Sequence, residues 1–291
     1  MLEGFKGFME NELRLSENSI NSYYSDVKLY EKYYKESYAE ELKELVYADV
    51  KMYKQYLLNK STSPKTINRK LTSLRTYNEF LIQEKLQTEM VIKDRDFIKI
   101  QKTKLNNNII SVQDVNKIKH YASKDIKASK RDFCFISILC YGGLRASEIT
   151  NIKIGDIRLN ERELYIVGKG EKFRTVVINN IMYFAIKDYL EERQQMDTKN
   201  PYLFVSQKSI NTKKPVNRNF CNRLLNKYKD SCKLNELHPH LLRHFYGTNA
   251  LHNAGYTIEQ VASQMGHSNI NTTKEYLDTK KEDMMALANK L

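Results

Sequence analysis

Residues 238–276 read HPHLLRHFYGTNALHNAGYTIEQVASQMGHSNINTTKEY, and this stretch decides what kind of molecule the chain is. Its helical spacing puts His240, Arg243 and His244 on one side of a predicted helix. His267 follows Met265-Gly266 at a helix end, and Tyr276 lies nine positions further on. Guanidinium groups bind phosphate oxygens in two-pronged fashion, imidazoles move protons near neutral pH, and a phenol can form a covalent ester. Two imidazoles, a guanidinium and a phenol therefore make up most of a metal-free phosphoryl-transfer site.

The rest of the chain supplies positive charge that suits an anionic partner. The 291 residues carry a formal charge of +13 with a pI near 9.3, and 41% of them are hydrophobic, enough for two modest cores. The charge is uneven: residues 1–49 hold eleven acids against six bases, a balance of −5, so residues 50–291 carry +18. An excess of that size is the footprint of a nucleic-acid binder, or else of a Lys-rich solvated surface. The four cysteines, Cys134, Cys140, Cys221 and Cys232, form no C-x-x-C pair and read as reduced core thiols. No secretory leader or membrane-length apolar run is present, so a soluble, cytoplasmic protein without membrane contact is expected.

Taken in order, the first third reads as helices. Ile20, Tyr23, Val27, Tyr30 and Tyr34 recur at three- and four-residue steps over 18–36. Residues 47–59 predict a second helix, and Ser63-Pro64 opens a third across 64–85 with Ile67, Leu71, Leu74 and Leu81 as its buried stripe. Lys65, Arg69, Thr72 and Thr76 fall on a different face, suited to a DNA groove or simply to solvent. Residues 93–110, lysine- and asparagine-rich without clear period, read as a linker. Ser111 and Asp114 cap the next helix, and residues 131–141, apolar nearly all round, predict a buried one.

That buried helix runs into Gly142-Gly143-Leu144-Arg145-Ala146-Ser147-Glu148-Ile149, where the glycines let the chain turn and put Arg145 at the edge of the core. Arg145 could instead be a cap paired with Glu148. Residues 152–157 suggest a short strand. The runs 163–167 and 173–178, around Gly168-Lys169-Gly170-Glu171, predict a hairpin with Lys169 on its tip. Helices over 181–195 and 219–232 follow, separated by an apolar segment at 200–205 and a basic loop at 209–218. An apolar tail, Met284–Leu291, ends the chain.

G-G-L-R-x-S-E-I, the hairpin lysine, H-x-x-R-H, G-H and the tyrosine, in this order, resemble the tyrosine recombinases of the phage integrase family. The resemblance covers the whole chain and implies a mainly α fold with a small β-sheet. Residues 1–92 would form a helical, SAM-like core-binding domain, 93–110 a linker, and 111–291 an α+β catalytic domain with a C-terminal exchange helix. It implies that Arg145 and Arg243 clamp the scissile phosphate while Tyr276 attacks it, leaving a 3′-phosphotyrosyl link and a free 5′-hydroxyl. Lys169 would protonate the leaving oxygen, His240 assist Tyr276, and His267 bond the phosphate, with Glu148 orienting Arg145 or His240. His244 is the motif's second histidine and is given no role.

The resemblance further implies double-stranded DNA with inverted-repeat core sites as the partner, a homotetramer joined through the C-terminal helix, and no metal, cofactor or ATP. An accessory or directionality factor and association with a bacterial nucleoid are compatible with it. The two-domain plan is most like Xer-type recombinases and small integrases or resolvases of mobile elements. Two rival readings are a DNA-relaxing enzyme like the type IB topoisomerases and a DNA-binding accessory protein without turnover. The tail could also fold back on its own domain.

Overall fold

Phe5, Phe8 and Met9 recur at three- and four-residue steps and are buried along one side of α1 (Leu2–Asn11), an element the sequence reading above does not include. The computed structural model describes residues 1–100, 110–125, 129–168, 173–267 and 272–273. The chain divides into two units, Met1–Leu105 and Asn106–Leu291. Lys169, Tyr276 and the tail from 284 to 291 lie outside the described residues.

The first unit adds α2 (Glu17–Tyr38), α3 (Tyr47–Asn59) and α4 (Pro64–Gln83). Ser63 caps α4: its hydroxyl accepts the Thr66 N–H at 3.3 Å, and Pro64 takes the first helical position, where no donor is lost. The predicted stripe of Ile67, Leu71, Leu74 and Leu81 is buried, joined by Tyr77 and Phe80. Phe5 meets Tyr77 edge-on with ring centroids 5.0 Å apart. A buried carboxylate, Asp26 of α2, accepts from Lys70 at 3.0 Å and Ser73 at 2.8 Å and also pairs with Arg69. Pairing of this kind is what lets a carboxylate leave water.

α4 is enclosed more completely than its sequence implies. α1, α2 and α3 all pack on it. The stretch after it is also tied to this unit: Asn68 bonds both backbone groups of Ile98, Asn78 bonds Val91 and Glu89, and Arg75 pairs with Asp94. Residues 93–98 are therefore held against the helices, and the first unit extends past residue 92. The same crowding corrects the expected polar face. Lys65 and Arg69 are exposed and Thr72 is half-buried, but Thr76 is only 9% exposed and does not share a solvent face with them.

The second unit is built around α6 (Ser129–Gly142), whose run from Cys134 to Cys140 is buried on all sides. α5 (Val112–Lys124), α8 (Asn180–Gln195) and α10 (Pro239–His252) pack on it. Ser111 and Asp114 form the expected capping box of α5, and Asn179 caps α8 through the Met182 N–H. α7 (Ala146–Thr150), α9 (Arg218–Lys229) and α11 (Ile258–Met265) complete the helices among the described residues. The four cysteines are buried and free. Among the described residues no helix is long and apolar enough to cross a membrane.

An antiparallel sheet in the order β1-β2-β3 lies beside these helices: β1 is Ile157–Arg158, β2 Glu163–Val167 and β3 Phe173–Val177. Leu164, Ile166 and Val176 face the core, while Tyr165, Val167, Phe173 and Val177 face outward. The strand expected over 152–157 is instead a bridge from Lys153 to Tyr202, a 3-10 turn at Ile154–Asp156, and the start of β1. The Asp156 carboxylate accepts the Lys153 N–H at 2.8 Å, so the side chain takes the donor that a ladder would have used.

Candidate active site

At the end of α6 the chain reverses through Gly143, whose φ of +62° is a left-handed conformation that favours glycine. A Cβ there would lie 2.5 Å from Cδ1 of Tyr246 on α10, so the turn also requires the missing side chain. The reversal sets Arg145 at the N-cap of α7 and Glu148 at its third position. The Glu148 carboxylate accepts the Arg145 backbone N–H at 2.7 Å and its guanidinium at 2.8 Å. The sequence reading offered Arg145 either as a phosphate ligand or as a cap paired with Glu148; the pairing is present, and the guanidinium is still 42% exposed.

Glu148 is the hub of a larger cluster. Arg174 of β3 donates to both its oxygens, at 2.9 and 2.8 Å, and the Arg243 guanidinium lies 3.7 Å away. Burial alone would push the Glu148 carboxyl up. The hydrogen bonds from Arg174 and from the Arg145 backbone outweigh it and hold the carboxyl at about 2.

The second support of the cluster is the C-terminus of α11. A helix end leaves carbonyls without intrahelical partners and carries partial negative charge. Here Gly266, at φ +65°, turns the chain so that its own N–H and that of His267 cover the carbonyls of Ser263 and Ala262. The next three carbonyls each receive a guanidinium: Gln264 from Arg174 at 2.9 Å, Met265 from Arg243 at 2.8 Å, and Gly266 from Arg145 at 3.1 Å. Arg243 also donates to Gly143 at 2.5 Å. A helix end contributes only about 0.3–1 kcal/mol per cation, whereas taking an ion out of water costs several kcal/mol. The Glu148 carboxylate therefore offsets part of the cost of keeping Arg174 and Arg243, 12% and 4% exposed, inside the protein.

His267 stands directly beyond these carbonyls, its Nδ1 2.8 Å from the Thr273 hydroxyl. Burial, then the charges of Arg243, Arg145 and Arg174, push its imidazole down to about 4 against the opposing pull of Glu148. The ring is neutral at pH 7 and presents one donor and one acceptor. Three positive groups, one negative group and a neutral imidazole thus meet in one place, a surround suited to an anion such as a phosphodiester.

Of the residues expected from sequence, Arg145, Glu148, Arg243 and His267 come together. His240 lies one turn before Arg243 on α10, exposed and stacked on His238 with ring centroids 6.4 Å apart. His244, also on α10, is half-buried with Nδ1 3.4 Å from the Thr248 hydroxyl. Glu148 bonds Arg145, one of the two residues it was expected to act on. Arg174 was missed, yet it left a trace: strand alternation puts it on the inward face with Val176, and a charge there demands a partner.

Comparison with known proteins covers both units. Residues 108–283 match the phage integrase family and residues 2–85 its N-terminal SAM-like domain. The chain belongs to the phage integrase family of tyrosine recombinases. Members of this family cleave and rejoin DNA, and the chain is an enzyme of that kind. The recombinase is 36% identical over 291 residues to the TnP I resolvase of Bacillus thuringiensis, covering 99% of this chain and 97% of the relative. It is 28% identical over 276 residues to tyrosine recombinase XerC of Staphylococcus epidermidis, covering 94% and 90%. Its fold is similar to that of the XerH site-specific recombinase bound to a palindromic difH substrate, with a TM-score of 0.77, 19% identity, and coverage of 99% and 83%. It is also similar to the Tn1549 transposon integrase in complex with transposon right end DNA, with a TM-score of 0.74, 18% identity, and coverage of 100% and 98%.

Proposed function

We propose that this recombinase exchanges strands between paired DNA sites through a covalent bond from Tyr276 to a 3′-phosphate, with a free 5′-hydroxyl as the other product. The observation that carries the reading is the convergence of Arg145, Arg243 and neutral His267 on one anion-binding corner ahead of Tyr276 in sequence. The exposed Arg145 fork meets the non-bridging oxygens, Arg243 adds its charge from the wall, and His267 hydrogen-bonds the phosphate. His240 assists deprotonation of the phenol, and Lys169 protonates the departing 5′-oxygen. The phosphotyrosyl ester conserves the bond energy, so the reverse attack by a 5′-hydroxyl reseals DNA without ATP. The cationic side chains supply the positive charge that a metal would otherwise bring to the phosphate.

The partner in this reading is duplex DNA with inverted repeats, gripped by residues 1–105 through Lys65, Arg69 and Thr72 and by the catalytic unit. Four subunits assemble on two sites, joined by the tail after Tyr276. The names of the relatives, a resolvase and Xer recombinases, support an exchange reaction.

The test uses a nicked duplex carrying a site that the protein itself selects from a pool of random duplexes. Wild type is expected to accumulate a covalent adduct because the short strand beyond the nick diffuses away. Tyr276→Phe should bind equally well and form none. An adduct with the Phe variant would overturn the assignment of the nucleophile. Relaxation of plasmids lacking the site would instead identify a topoisomerase, and absence of any adduct a binding protein.

A further inference from the structure

We propose that Arg174 is a positioning residue of the recombination reaction: by holding both oxygens of Glu148 and the last turn of α11 at once, it offsets the carboxylate that Arg145 and Arg243 also face and leaves the group a larger net positive charge to present to the scissile phosphate. The inference rests on the function proposed above.

Three observations converge on it. First, Arg174 uses its whole fork internally, with Nε on the Gln264 carbonyl at 2.9 Å and its two terminal nitrogens on the Glu148 oxygens at 2.9 and 2.8 Å. Only a planar guanidinium matches a carboxylate and a carbonyl together; an ammonium is a point charge. Second, Gly266 is shaped around it, since a Cβ at that position would lie 2.8 Å from one of the Arg174 terminal nitrogens. The residue that ends α11 and precedes His267 thus depends on Arg174 for its packing. Third, the charges balance only with it. Arg145, Arg243 and Glu148 alone carry one net positive charge, and Arg174 raises the group to two.

Without Arg174 the Glu148 oxygens have, among the described residues, Arg145 and Arg243 to turn to. The carboxylate would then draw both forks inward and cancel charge that the phosphate needs. Arg174 also starts the strand leading away from the hairpin tip, so its bond to the Gln264 carbonyl ties β3 to the end of α11. Strand β3 and the residues leading into His267 are thereby fixed to one point.

The experiment measures single-turnover cleavage of the selected nicked duplex by the full chain, with half-site affinity measured alongside. Arg174→Gln is expected to cleave on the order of 10²-fold more slowly, the size of loss that follows displacement of positioned groups. Its half-site affinity should stay within about threefold, because phosphate contacts spread over the whole basic surface dominate binding. Arg174→Lys keeps the charge and tests the fork; it is expected to fall between the two. The deciding variant is Arg174→Gln combined with Glu148→Gln, which restores two net positive charges. It should recover at least tenfold of the lost rate over Arg174→Gln alone when both are compared per folded molecule, whereas a purely structural brace predicts a rate that only follows the folded fraction read from melts.

A wild-type rate for Arg174→Lys and Arg174→Gln, or a double variant no faster than Arg174→Gln, overturns the proposal. If Arg174→Gln does not fold, Arg174→Lys decides it alone, and a wild-type rate for that variant overturns the proposal. Absence of any adduct with wild type condemns the proposed function instead, so the two failures are told apart.

Discussion

Burial and three guanidiniums push the His267 proton off, and Glu148 alone pulls the other way. An unfolded histidine titrates near 6.5, so between about 6.5 and 4 the unfolded chain binds a proton that the folded site refuses. The stabilisation this represents is complete above 6.5 and is lost as pH falls through that interval. Glu148 acts lower, its contribution complete above 4.5 and lost on the way to about 2. Replacing His267 with Gln is expected to flatten the stability curve between pH 6.5 and 4 and leave the steeper fall below it. Urea melts across that range measure this, and an unchanged slope would locate the acid sensitivity elsewhere. Lys169 permits a separate chemical test. A thiolate leaves without a proton, so Lys169→Ala should cleave an ordinary site about 10²–10⁴-fold slowly yet recover on a 5′-bridging sulfur substrate. Arg145→Ala should not recover, because charge on the non-bridging oxygens must be met whichever atom leaves. Equal rescue of both would remove Lys169 from the acid role.

Among the elements, the junction after α11 is constrained in the same way as the turn at Gly143. Gly266 combines a left-handed φ with a guanidinium at the place of its missing Cβ, while Gly155 in the 3-10 turn has nothing within 4 Å. Gly266→Ala is expected to destabilise by about 1–3 kcal/mol and to slow cleavage through Arg174. Gly155→Ala should stay within about 0.5 kcal/mol of wild type. Thermal melts of the pair check this; equal losses would mean that backbone strain at position 266 is relieved elsewhere. Glu148→Ala removes the counter-charge of buried arginines and should cost about 3–5 kcal/mol, more than any single cap in the chain.

For the whole molecule, two buried clusters matter: one runs from Phe5 to Ile92, the other from Ile110 to Phe245. Each unit has its own core, so fragments 1–105 and 106–291 are expected to melt cooperatively when made separately. A fragment without a cooperative transition would show that its core is incomplete alone. The +18 carried by residues 50–291 should make DNA affinity fall steeply with salt, each phosphate contact adding roughly −0.9 to the log–log slope. A nearly flat dependence would remove the basic surface from the binding argument. Deleting residues 284–291 is expected to spare half-site binding and abolish synapsis of two sites. Recombination at the normal rate by the truncated chain would mean that the tail packs in cis.

Helices were legible from sequence wherever one face was apolar at regular spacing, as over 47–59 and in the stripe from Ile67 to Leu81, because burial of such a face is a local demand. The pairing of 163–167 with 173–177 was equally plain from its alternation, and the motifs that hold Arg145, Arg243 and His267 marked side chains that the structure brings together. The sequence did not reveal that Thr76 would be covered, since exposure on α4 depends on α1, α2, α3 and the segment up to Ile98 arriving from elsewhere. Nor could it bring Arg174, Glu148 and the carbonyls from Gln264 to Gly266 to one point. Those groups are separated by up to 118 positions, from Glu148 to Gly266, and their attraction is decided by distance in space and by loss of water. Only the tertiary structure sets both.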